Sequence, residues 1–327
     1  MASDGFLVGV SQDVEGPDGR PQVDLDLLDD EGISWEWLRA EGELRPADIA
    51  SYAAIVLFGT SVTARTLEGV QRLRLVARLG VGLDSVDVAA CSRAGVLVSV
   101  TPDGVRRPMA SSAMAFVLAL AHRLLENDRL VRAGGWDRFA HLGTGLDGRT
   151  LGIVGLGNIG RDLALLAAPF GLQVVAADPF VQEAPAAVRL LTLDGLLEIS
   201  DFVVVTCPLT DDTRGLIGAG QLARMKPTAY LVNVARGPIV DEAALVEALR
   251  GGGVAGAALD VFEREPLPAD SPLRSLDNVI LAPHAVGFTD ELLSGLGRSA
   301  ARAVVAVQEG RIPEFAVNPE AAGVERS

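Results

Sequence analysis

The chain has 327 residues, which is long for one hydrophobic core and fits two domains of ordinary size. Its 43 acidic and 28 basic residues give a net charge of -15, which would repel nucleic acid and anionic lipid over most of the surface. Cys91 and Cys207 are too few for a disulfide framework or a thiolate metal cluster and fit small core residues in a reducing compartment. We therefore expect a soluble, cytoplasmic protein without nucleic acid, membrane or metal partners.

The first 100 residues alternate short apolar runs with charged, helix-like stretches. Residues 1–10 have no basic residue ahead of their apolar part, so they lack the charge pattern of a secretory signal. The predicted strands of this region are residues 6–10, 53–58, 75–79 and 96–100. This alternation predicts an α/β domain with a mostly parallel sheet.

Residues 101–104 read Thr101-Pro102-Asp103-Gly104, which concentrates signals that interrupt regular structure. We expect a hinge between domains at this point. Residues 109–130 then predict one long helix with too few polar positions for the surface of a monomer, so we expect it to be buried against a partner subunit. The uncharged run at residues 108–122 is shorter than the ~20 residues that a membrane-spanning helix needs.

A second series of strands and helices begins at residue 151. Its six predicted strands are residues 151–154, 173–177, 202–207, 230–234, 254–259 and 278–281. Six strands with intervening helices match a dinucleotide-binding sheet. Residues 291–308 predict a last helix, which is long enough to return to the first domain.

The sequence Gly155-Leu156-Gly157-Asn158-Ile159-Gly160, called the glycine fingerprint below, follows the first strand of this series. Gly155 permits a tight turn, Gly157 lets the backbone approach a phosphate, and Gly160 lets the helix pack closely on the strand. The phosphate charge would meet free N–H groups at the helix N-terminus. A carboxylate, Asp178, follows 18 residues after the last glycine. This spacing predicts a dinucleotide site rather than an ordinary glycine-rich turn.

Asp178 also predicts which dinucleotide binds. A carboxylate accepts hydrogen bonds from both hydroxyls of the adenine ribose and repels a 2′-phosphate. The following residues, Pro179 and Phe180, bring no cation to offset that repulsion. NAD is therefore favoured over NADP.

Three ionisable residues follow three late predicted strands: Arg236, Glu265 and His284. Strand ends of a parallel sheet face one crevice, so we expect these side chains to converge there. Arginine can hold a carboxylate and polarise a neighbouring carbonyl, and histidine can exchange a proton near neutral pH. A glutamate beside the imidazole would fix its orientation and favour its protonated form. The three types fit hydride transfer at a hydroxyl or ketone beside a carboxylate.

Each of these residues also has an ordinary structural explanation. Arg236 alone fits a surface cation, Glu265 lies in the charged run at residues 263–265, and His284 fits a helix cap or a satisfied core histidine. Their joint position beyond a dinucleotide fingerprint favours the functional interpretation. His122 and His141 have no such placement.

Several segments, distributed over nearly the whole chain, are also typical of one known family. They are Ala77-Arg78-Leu79-Gly80-Val81-Gly82, the glycine fingerprint, Asn233-Val234-Ala235-Arg236-Gly237-Pro238-Ile239-Val240-Asp241, Leu259-Asp260-Val261-Phe262-Glu263-Arg264-Glu265-Pro266 and Ala282-Pro283-His284. In these segments the chain resembles the D-isomer-specific 2-hydroxyacid dehydrogenases, which include glyoxylate, hydroxypyruvate and phosphoglycerate dehydrogenases.

The resemblance implies a role for each matching residue. His284 would be the acid–base residue, Glu265 its partner and Arg236 the substrate anchor, while the backbone at Val81 and Gly82 would help to hold the substrate carboxylate. The NAD contacts would be Asn158 and Ile159 over the pyrophosphate, Asp178 on the adenine ribose, and Cys207, Val234, Ala235 and Asp260 along the nicotinamide half.

The resemblance also implies two doubly wound parallel-sheet domains. A Rossmann cofactor domain, residues 105–290, would be inserted into a flavodoxin-like substrate domain, residues 1–104 and 291–327. Members of the family are commonly dimers joined through the helix and loop before the fingerprint, so we expect a homodimer.

The start of the long helix departs from the family. Many members have an acid and a histidine where this chain reads Ala110-Ser111-Ser112-Ala113, and the preceding loop carries Arg106 and Arg107. These arginines either face the cleft, which favours a phosphorylated or doubly acidic substrate, or form a solvated pair at a helix start. Trp136 and His141 lie where some relatives send a loop into the neighbouring subunit's site, and core or surface roles stay open for both.

The sequence therefore predicts an enzyme that transfers a hydride between NAD(H) and a small D-2-hydroxy acid or 2-keto acid. Two alternatives stay open: a non-catalytic NAD(H) sensor of the corepressor type, and oxidation of phosphite or another small anion on the same scaffold. The intact set Arg236, Glu265 and His284 counts against the sensor. Glu265 counts against formate oxidation, because formate enzymes replace this glutamate.

Overall fold

The structure, a computed structural model, describes residues 5–323. Residues 1–4 and 324–327, which the sequence assigns to the substrate domain, lie outside the described residues. The elements as far as residue 101 are β1 (Leu7–Ser11), α1 (Asp26–Asp30), β2 (Ser34–Leu38), α2 (Pro46–Ile49), β3 (Ala54–Leu57), β4 (Leu75–Arg78), α3 (Val88–Arg93) and β5 (Leu97–Ser99).

The elements after residue 101 are α4 (Pro102–Ala121), α5 (Leu124–Arg132), β6 (Thr150–Val154), α6 (Asn158–Ala167), β7 (Gln173–Ala177), β8 (Val188–Leu190), α7 (Leu193–Ile199), β9 (Phe202–Val205), α8 (Ala219–Leu222), β10 (Tyr230–Asn233), α9 (Glu242–Arg250), β11 (Gly256–Leu259), β12 (Val279–Leu281) and α10 (Asp290–Gln308). Short 3-10 helices cover Gln12–Val14, Arg65–Leu67, Ala168–Phe170, Gly237–Ile239, Pro272–Ser275 and Pro319–Gly323.

The chain divides into two compact units. One unit runs to Val105 and resumes at Phe288, and the other spans Arg106–Gly287. Each is an α/β unit built on a parallel sheet, so the predicted fold class is confirmed. The assignment of substrate to one unit and cofactor to the other stays a prediction.

The first unit contains a parallel sheet in the order β2-β1-β3-β4-β5, which is the flavodoxin-like order. Strands β3 and β4 carry its buried apolar run, for example Ile55, Leu57 and Val76. The sequence missed β2 because this edge strand is largely half-exposed and has no continuous apolar run. The predicted last helix is confirmed as α10, which packs on α1 and β4.

The second unit contains a parallel sheet in the order β12-β11-β10-β9-β6-β7-β8. The six strands predicted here are confirmed with small changes at their ends, and the edge strand β8 was missed because it is short and partly exposed. Chain order reverses between β6 and β9, which are hydrogen-bonded neighbours. In open α/β sheets, ligands bind outside the carboxyl ends of the strands at such a switch point.

The prediction of one helix over residues 109–130 is wrong. α4 begins at Pro102, because proline suits the first turn of a helix, so residues 101–104 start a helix and do not form a hinge loop. Arg123 has a φ of 48°, in the left-handed region, and separates α4 from α5 with a bend of 58°. The boundary between the two units falls inside α4.

The apolar composition of α4 is explained by its own unit. Ala113, Val117 and Leu120 are buried in a core that also contains Leu151 and Phe202. The expectation that this helix needs a partner subunit to bury it is therefore wrong. In residues 5–323, only the bent pair of α4 and α5 has the length and composition of a membrane span, and no single helix has.

Candidate functional site

Two of the three fingerprint glycines, Gly155 and Gly160, are required by close packing, whereas Gly157 faces open space. Gly155 has a φ of 97°, and a Cβ atom there would lie 2.6 Å from the backbone N of Cys207. A Cβ on Gly160 would lie 2.3 Å from the Gly155 carbonyl oxygen, so the first turn of α6 packs directly on the preceding loop. A Cβ on Gly157 would have no heavy atom within 4 Å. The middle glycine thus leaves open space where the other two are tightly packed.

This open space lies at the N-terminus of α6. Gly157 is the N-cap residue, and no side chain caps the helix there. Asn158 and Ile159 begin the helix, so their N–H groups belong to the first turn, which lacks intrahelical acceptors. The arrangement fits the pyrophosphate of a dinucleotide, because an anion there meets N–H donors and the positive end of the helix dipole without steric hindrance.

Asp178 follows β7, and two backbone donors hold its carboxylate beside the fingerprint. Its Oδ2 accepts a hydrogen bond from the Leu156 N–H at 2.8 Å, and its Oδ1 accepts one from the Phe180 N–H at 2.9 Å. Each carboxylate oxygen can accept a further hydrogen bond. The residue is therefore fixed in orientation and retains capacity for ribose hydroxyls.

The structure brings His284 and Glu265 together. Nδ1 of His284 lies 2.7 Å from Oε2 of Glu265, and the other carboxylate oxygen, Oε1, accepts the Phe262 N–H at 2.9 Å. The two side chains are 45% and 36% exposed, so the imidazole is oriented by a partner while it remains accessible. The predicted convergence of these two residues is observed as a contact.

Asp260 anchors the loop that carries His284. Its Oδ1 accepts the N–H groups of Ala285 at 2.8 Å and Val286 at 3.0 Å. His284 itself has a φ of 54°, a left-handed conformation that is rare for residues other than glycine. The pKa of the Asp260 carboxyl is raised overall, because the effect of burial exceeds the opposing effect of the hydrogen bonds from Val286 and Ala285. Sequence reasoning placed Asp260 near NAD but missed this loop contact, which has no signal in the spacing.

The loop after β10, called the Arg236 loop, and the loop after β11, called the Glu265 loop, touch through their backbones. A Cβ atom on Gly237 would lie 1.8 Å from the carbonyl carbon of Phe262, so only glycine fits at this position. The first residue of α9, Glu242, also exchanges hydrogen bonds with Glu263, from Glu242 N to Glu263 Oε1 at 3.0 Å and from Glu263 N to Glu242 Oε2 at 3.3 Å. Burial, together with repulsion from Glu263, raises the pKa of the Glu242 carboxyl, whereas the hydrogen bond from the Glu263 N–H opposes this rise.

The loop after β10 is fixed by Asn233, which is buried. Its Nδ2 donates to the Arg236 carbonyl at 3.0 Å, and its Oδ1 accepts the Ala235 N–H at 3.1 Å. Arg236 is half-buried, and its Nη1 donates to the Ala235 carbonyl at 2.7 Å. Val234 and Ala235 are buried beside it. The sequence motif that contains Asn233 did not predict that this side chain fixes the loop.

The two cysteines are unpaired thiols. Burial raises the pKa of Cys91 to about 12 and that of Cys207 to about 11. A thiol is a weak nucleophile unless it loses its proton. Both thiols therefore fit small packing residues, with Cys207 against the turn at Gly155.

Arg106 and Arg107 both bind Asp162, which is buried on α6. Nε of Arg106 lies 3.1 Å from Oδ1 of Asp162, and Nε of Arg107 lies 3.3 Å from Oδ2. Both alternatives left open by the sequence missed this partner, because nothing in the spacing connects residue 106 with residue 162. The pair ties the first half of α4 to the helix that follows the fingerprint.

Val81 and Gly82 lie in the other unit, in the loop after β4. The neighbouring Gly80 has a φ of 127°, and its N–H donates to Oγ1 of Thr101 at 2.7 Å. Val81 is 42% exposed. The loop is thus anchored at Gly80 while the next residue remains accessible.

The segment between α5 and β6 exposes large apolar side chains. Trp136 is 78% exposed, Phe139 76% and Leu142 67%. Asn127 on α5 connects to this segment through a hydrogen bond from its Nδ2 to the His141 carbonyl at 3.5 Å. A core role for Trp136, which the sequence left open, is not observed.

Residues 114–286 match the family described as D-isomer specific 2-hydroxyacid dehydrogenase, NAD binding domain. Over 275 residues, the chain is 42% identical to a glyoxylate reductase of Korarchaeum cryptofilum (strain OPF8), with 82% of this chain and 83% of that protein covered. It is 40% identical to a D-3-phosphoglycerate dehydrogenase of Archaeoglobus fulgidus over 83% of this chain, but it spans only 52% of that protein's length.

The fold also matches that of solved structures. The D-lactate dehydrogenase of Aquifex aeolicus, complexed with NAD and lactic acid, superposes with a TM-score of 0.81 at 26% sequence identity. The match covers 95% of this chain and 99% of that one.

Proposed function

The chain belongs to the D-isomer-specific 2-hydroxyacid dehydrogenase family, and we propose that it interconverts a small 2-keto acid and the corresponding D-2-hydroxy acid with NAD as the cofactor. The observation that carries this proposal is the contact of His284 with Glu265, held by backbone donors in the same unit as the glycine fingerprint. The unit Arg106–Gly287 is proposed as the cofactor domain. The unit formed by both chain ends is proposed as the substrate domain.

All of the proposed cofactor contacts come from the second unit, whose fingerprint and strand ends fit a dinucleotide. Gly155, Gly157, Asn158, Ile159 and Gly160 would hold the pyrophosphate, Asp178 the adenine ribose, and Cys207, Val234, Ala235 and Asp260 the nicotinamide half. When bound, NAD supplies the acceptor or donor of the hydride. The fixed carboxylate of Asp178 supports NAD over NADP, because it would repel a 2′-phosphate.

His284 is the proposed acid–base residue. Because its Nδ1 faces a carboxylate, Nδ1 is protonated and its N–H donates a hydrogen bond to Glu265. Nε2 is left to exchange a proton with the substrate oxygen. Nε2 donates the proton when the ketone is reduced and accepts it when the alcohol is oxidised. Glu265 keeps the ring in this orientation, since Phe262 fixes the carboxylate in turn.

Arg236 is the proposed substrate anchor. Its guanidinium carries a permanent charge and a planar set of donors that suits a carboxylate, and it can polarise the adjacent ketone oxygen. The backbone N–H groups of Val81 and Gly82 are proposed as further donors to the substrate carboxylate. In a chain of net charge -15, such local donors are needed to attract a small anion.

The direct test is an assay of the purified protein with NADH and a panel of 2-keto acids. Oxidation of NADH with at least one of them is expected. Binding of NADH without turnover across the panel would instead favour the non-catalytic sensor. Phosphite and formate, added with NAD, test small-anion oxidation in the same assay.

We also propose a cytoplasmic homodimer joined through α5 and residues 133–145. The exposed Trp136, Phe139 and Leu142 support this proposal, because apolar groups clustered on one segment favour a protein interface. Leu142→Glu should shift the mass measured by light scattering from dimer to monomer. Leu165→Glu is the control, because Leu165 is 60% exposed on α6 and lies outside the segment. A parent protein that is monomeric at all concentrations would contradict the proposed dimer. Cell fractionation tests the proposed cytoplasmic location.

A further inference from the structure

The loop that carries His284 has a second anchor besides Asp260. The hydroxyl of Ser112, on α4, donates to the Val286 carbonyl at 2.8 Å. Ser112 is buried, with 6% of its surface exposed, and all of these residues lie in the unit Arg106–Gly287. Asp260 thus holds the N–H groups of residues 285 and 286, and Ser112 holds the carbonyl of residue 286.

His284 needs such anchors because its backbone conformation is unfavourable in isolation. A φ of 54° on a residue with a Cβ persists where the surrounding structure fixes it. The peptide groups that follow His284 are the ones that Asp260 and Ser112 bind. Release of either anchor would let the loop relax and would move the imidazole away from its position on Glu265.

A neighbouring serine shows which contact of Ser112 matters. Oγ of Ser111 and Oγ of Ser112 both lie within hydrogen-bond distance of the Pro108 carbonyl, at 2.8 and 2.9 Å. This carbonyl is inside α4, where the helix itself supplies a backbone donor. The contact with Val286 belongs to Ser112 alone. Because a serine hydroxyl carries one proton, Ser112 donates to one of its two carbonyl neighbours at a time, and the two serines differ in that only Ser112 also reaches the Val286 carbonyl of the histidine loop.

The helix that presents Ser112 is itself fixed. Arg106 and Arg107, about one to two turns earlier on α4, both pair with the buried carboxylate of Asp162 on α6. Ala110 and Ala113, on either side of the serines, are fully buried in the core. Ser112 is thus a rigid point of attachment, which is what a positioning contact requires.

We propose that Ser112 is a positioning residue for the acid–base histidine, and that it acts through the Val286 carbonyl to hold the loop of residues 284–286. This inference rests on the proposed role of His284. It gives a function to a position where the chain departs from the acid and histidine of many family members. Ser112 does not contact the reacting atoms.

The test compares Ser112→Ala with Ser111→Ala as a matched control. Single-turnover decay of NADH absorbance with a saturating 2-keto acid measures the chemical step, NADH fluorescence titration measures cofactor binding, and steady-state kinetics gives the KM for the keto acid. For Ser112→Ala we expect a rate about tenfold lower, with the Kd for NADH and the KM for the keto acid within about twofold of the parent. Ser111→Ala should match the parent in all three quantities.

The outcomes separate this inference from the proposed function. A Ser112→Ala rate equal to that of Ser111→Ala would overturn the positioning role even if His284→Ala abolished turnover. Loss of NADH binding together with turnover would also overturn it, because that result indicates a general structural role. Near-normal turnover of His284→Ala, in contrast, would reject the proposed function itself.

Discussion

Nδ1 of His284 lies 2.7 Å from Oε2 of Glu265, and the remaining carboxylate oxygen accepts the N–H of Phe262. Both oxygens of Glu265 are therefore committed, one to the imidazole and one to the backbone of its own loop. This geometry fixes which ring nitrogen faces the carboxylate. It leaves the other ring nitrogen for proton exchange with substrate.

Glu265→Gln should slow turnover on the order of 100-fold in both directions. The Phe262 N–H requires an acceptor, so the amide oxygen would take that place and the NH₂ group would face Nδ1 of His284. The imidazole would then be held in the wrong tautomer, as happens when a carboxylate partner of a catalytic histidine becomes an amide. Steady-state kinetics of reduction and oxidation check this. Glu198→Gln, a surface carboxylate paired with Arg224, is the control, and equal rates for the two variants would refute the assignment.

Gly237→Ala should destabilise the fold by several kcal/mol, because the added Cβ would lie 1.8 Å from the carbonyl carbon of Phe262. The Arg236 loop and the Glu265 loop would have to separate, so the folded fraction should also lose turnover. Urea denaturation measures the free energy of unfolding. Gly220→Ala is the matched control, since a Cβ there meets nothing within 4 Å, and it should be neutral or slightly stabilising. Similar unfolding midpoints for both variants would disagree with the observed backbone contact.

Asp178→Asn should reduce the preference for NAD. The amide removes the charge that repels a 2′-phosphate. It also has only one acceptor oxygen, whereas the N–H groups of Leu156 and Phe180 now each donate to a separate carboxylate oxygen. We expect kcat/KM with NADH to fall about tenfold and the ratio of NADPH to NADH efficiency to rise by at least that factor. Kinetics with both cofactors check this, with Glu183→Gln as a nearby control. An unchanged ratio would show that Asp178 does not select the cofactor.

Asp201 should make the second unit sensitive to acid. Burial raises the pKa of its carboxyl, but the Thr150 N–H, Lys226 at 3.0 Å and Arg149 at 3.4 Å outweigh burial and lower the pKa overall. A lowered folded-state pKa means that the stabilisation is present above the ordinary value of 3.8 and is lost as pH falls through the lowered value.

Asp201→Asn should therefore cost about 2 kcal/mol of unfolding free energy at pH 7 and progressively less as the pH falls below 4. Denaturant titration at several pH values measures the difference. Asp194→Asn is the control, because its exposed pair with Arg224 should contribute less than about 0.5 kcal/mol. A constant difference between Asp201→Asn and the parent across this pH range would contradict the lowered pKa.

The sequence predicted the elements whose signal is local. Strands β3 and β9 are continuous apolar runs, and both were found, whereas the edge strands β2 and β8 mix exposed and half-buried residues and were missed. The break at Arg123 was missed as well. A left-handed residue inside a helix-like sequence leaves no pattern when the residue is not glycine.

The contacts of the candidate site also differ in whether the sequence could predict them. His284 and Glu265 follow strand ends of one parallel sheet, so their contact was predictable from spacing and topology. The contacts of Ser112 with Val286 and of the arginine pair with Asp162 join residues far apart in the chain. Only the packed structure reveals them, since neither spacing nor composition connects the partners.

The acid–base role of His284 is tested most directly by His284→Ala, measured for NADH affinity and for turnover on the best 2-keto acid. Removal of the imidazole takes away the proton donor but leaves the glycine fingerprint and Asp178 unchanged. We predict a Kd for NADH within about twofold of the parent and a loss of turnover of about 100-fold to 10,000-fold. His122→Ala should retain parental turnover. Near-normal turnover of His284→Ala would contradict the acid–base role of His284.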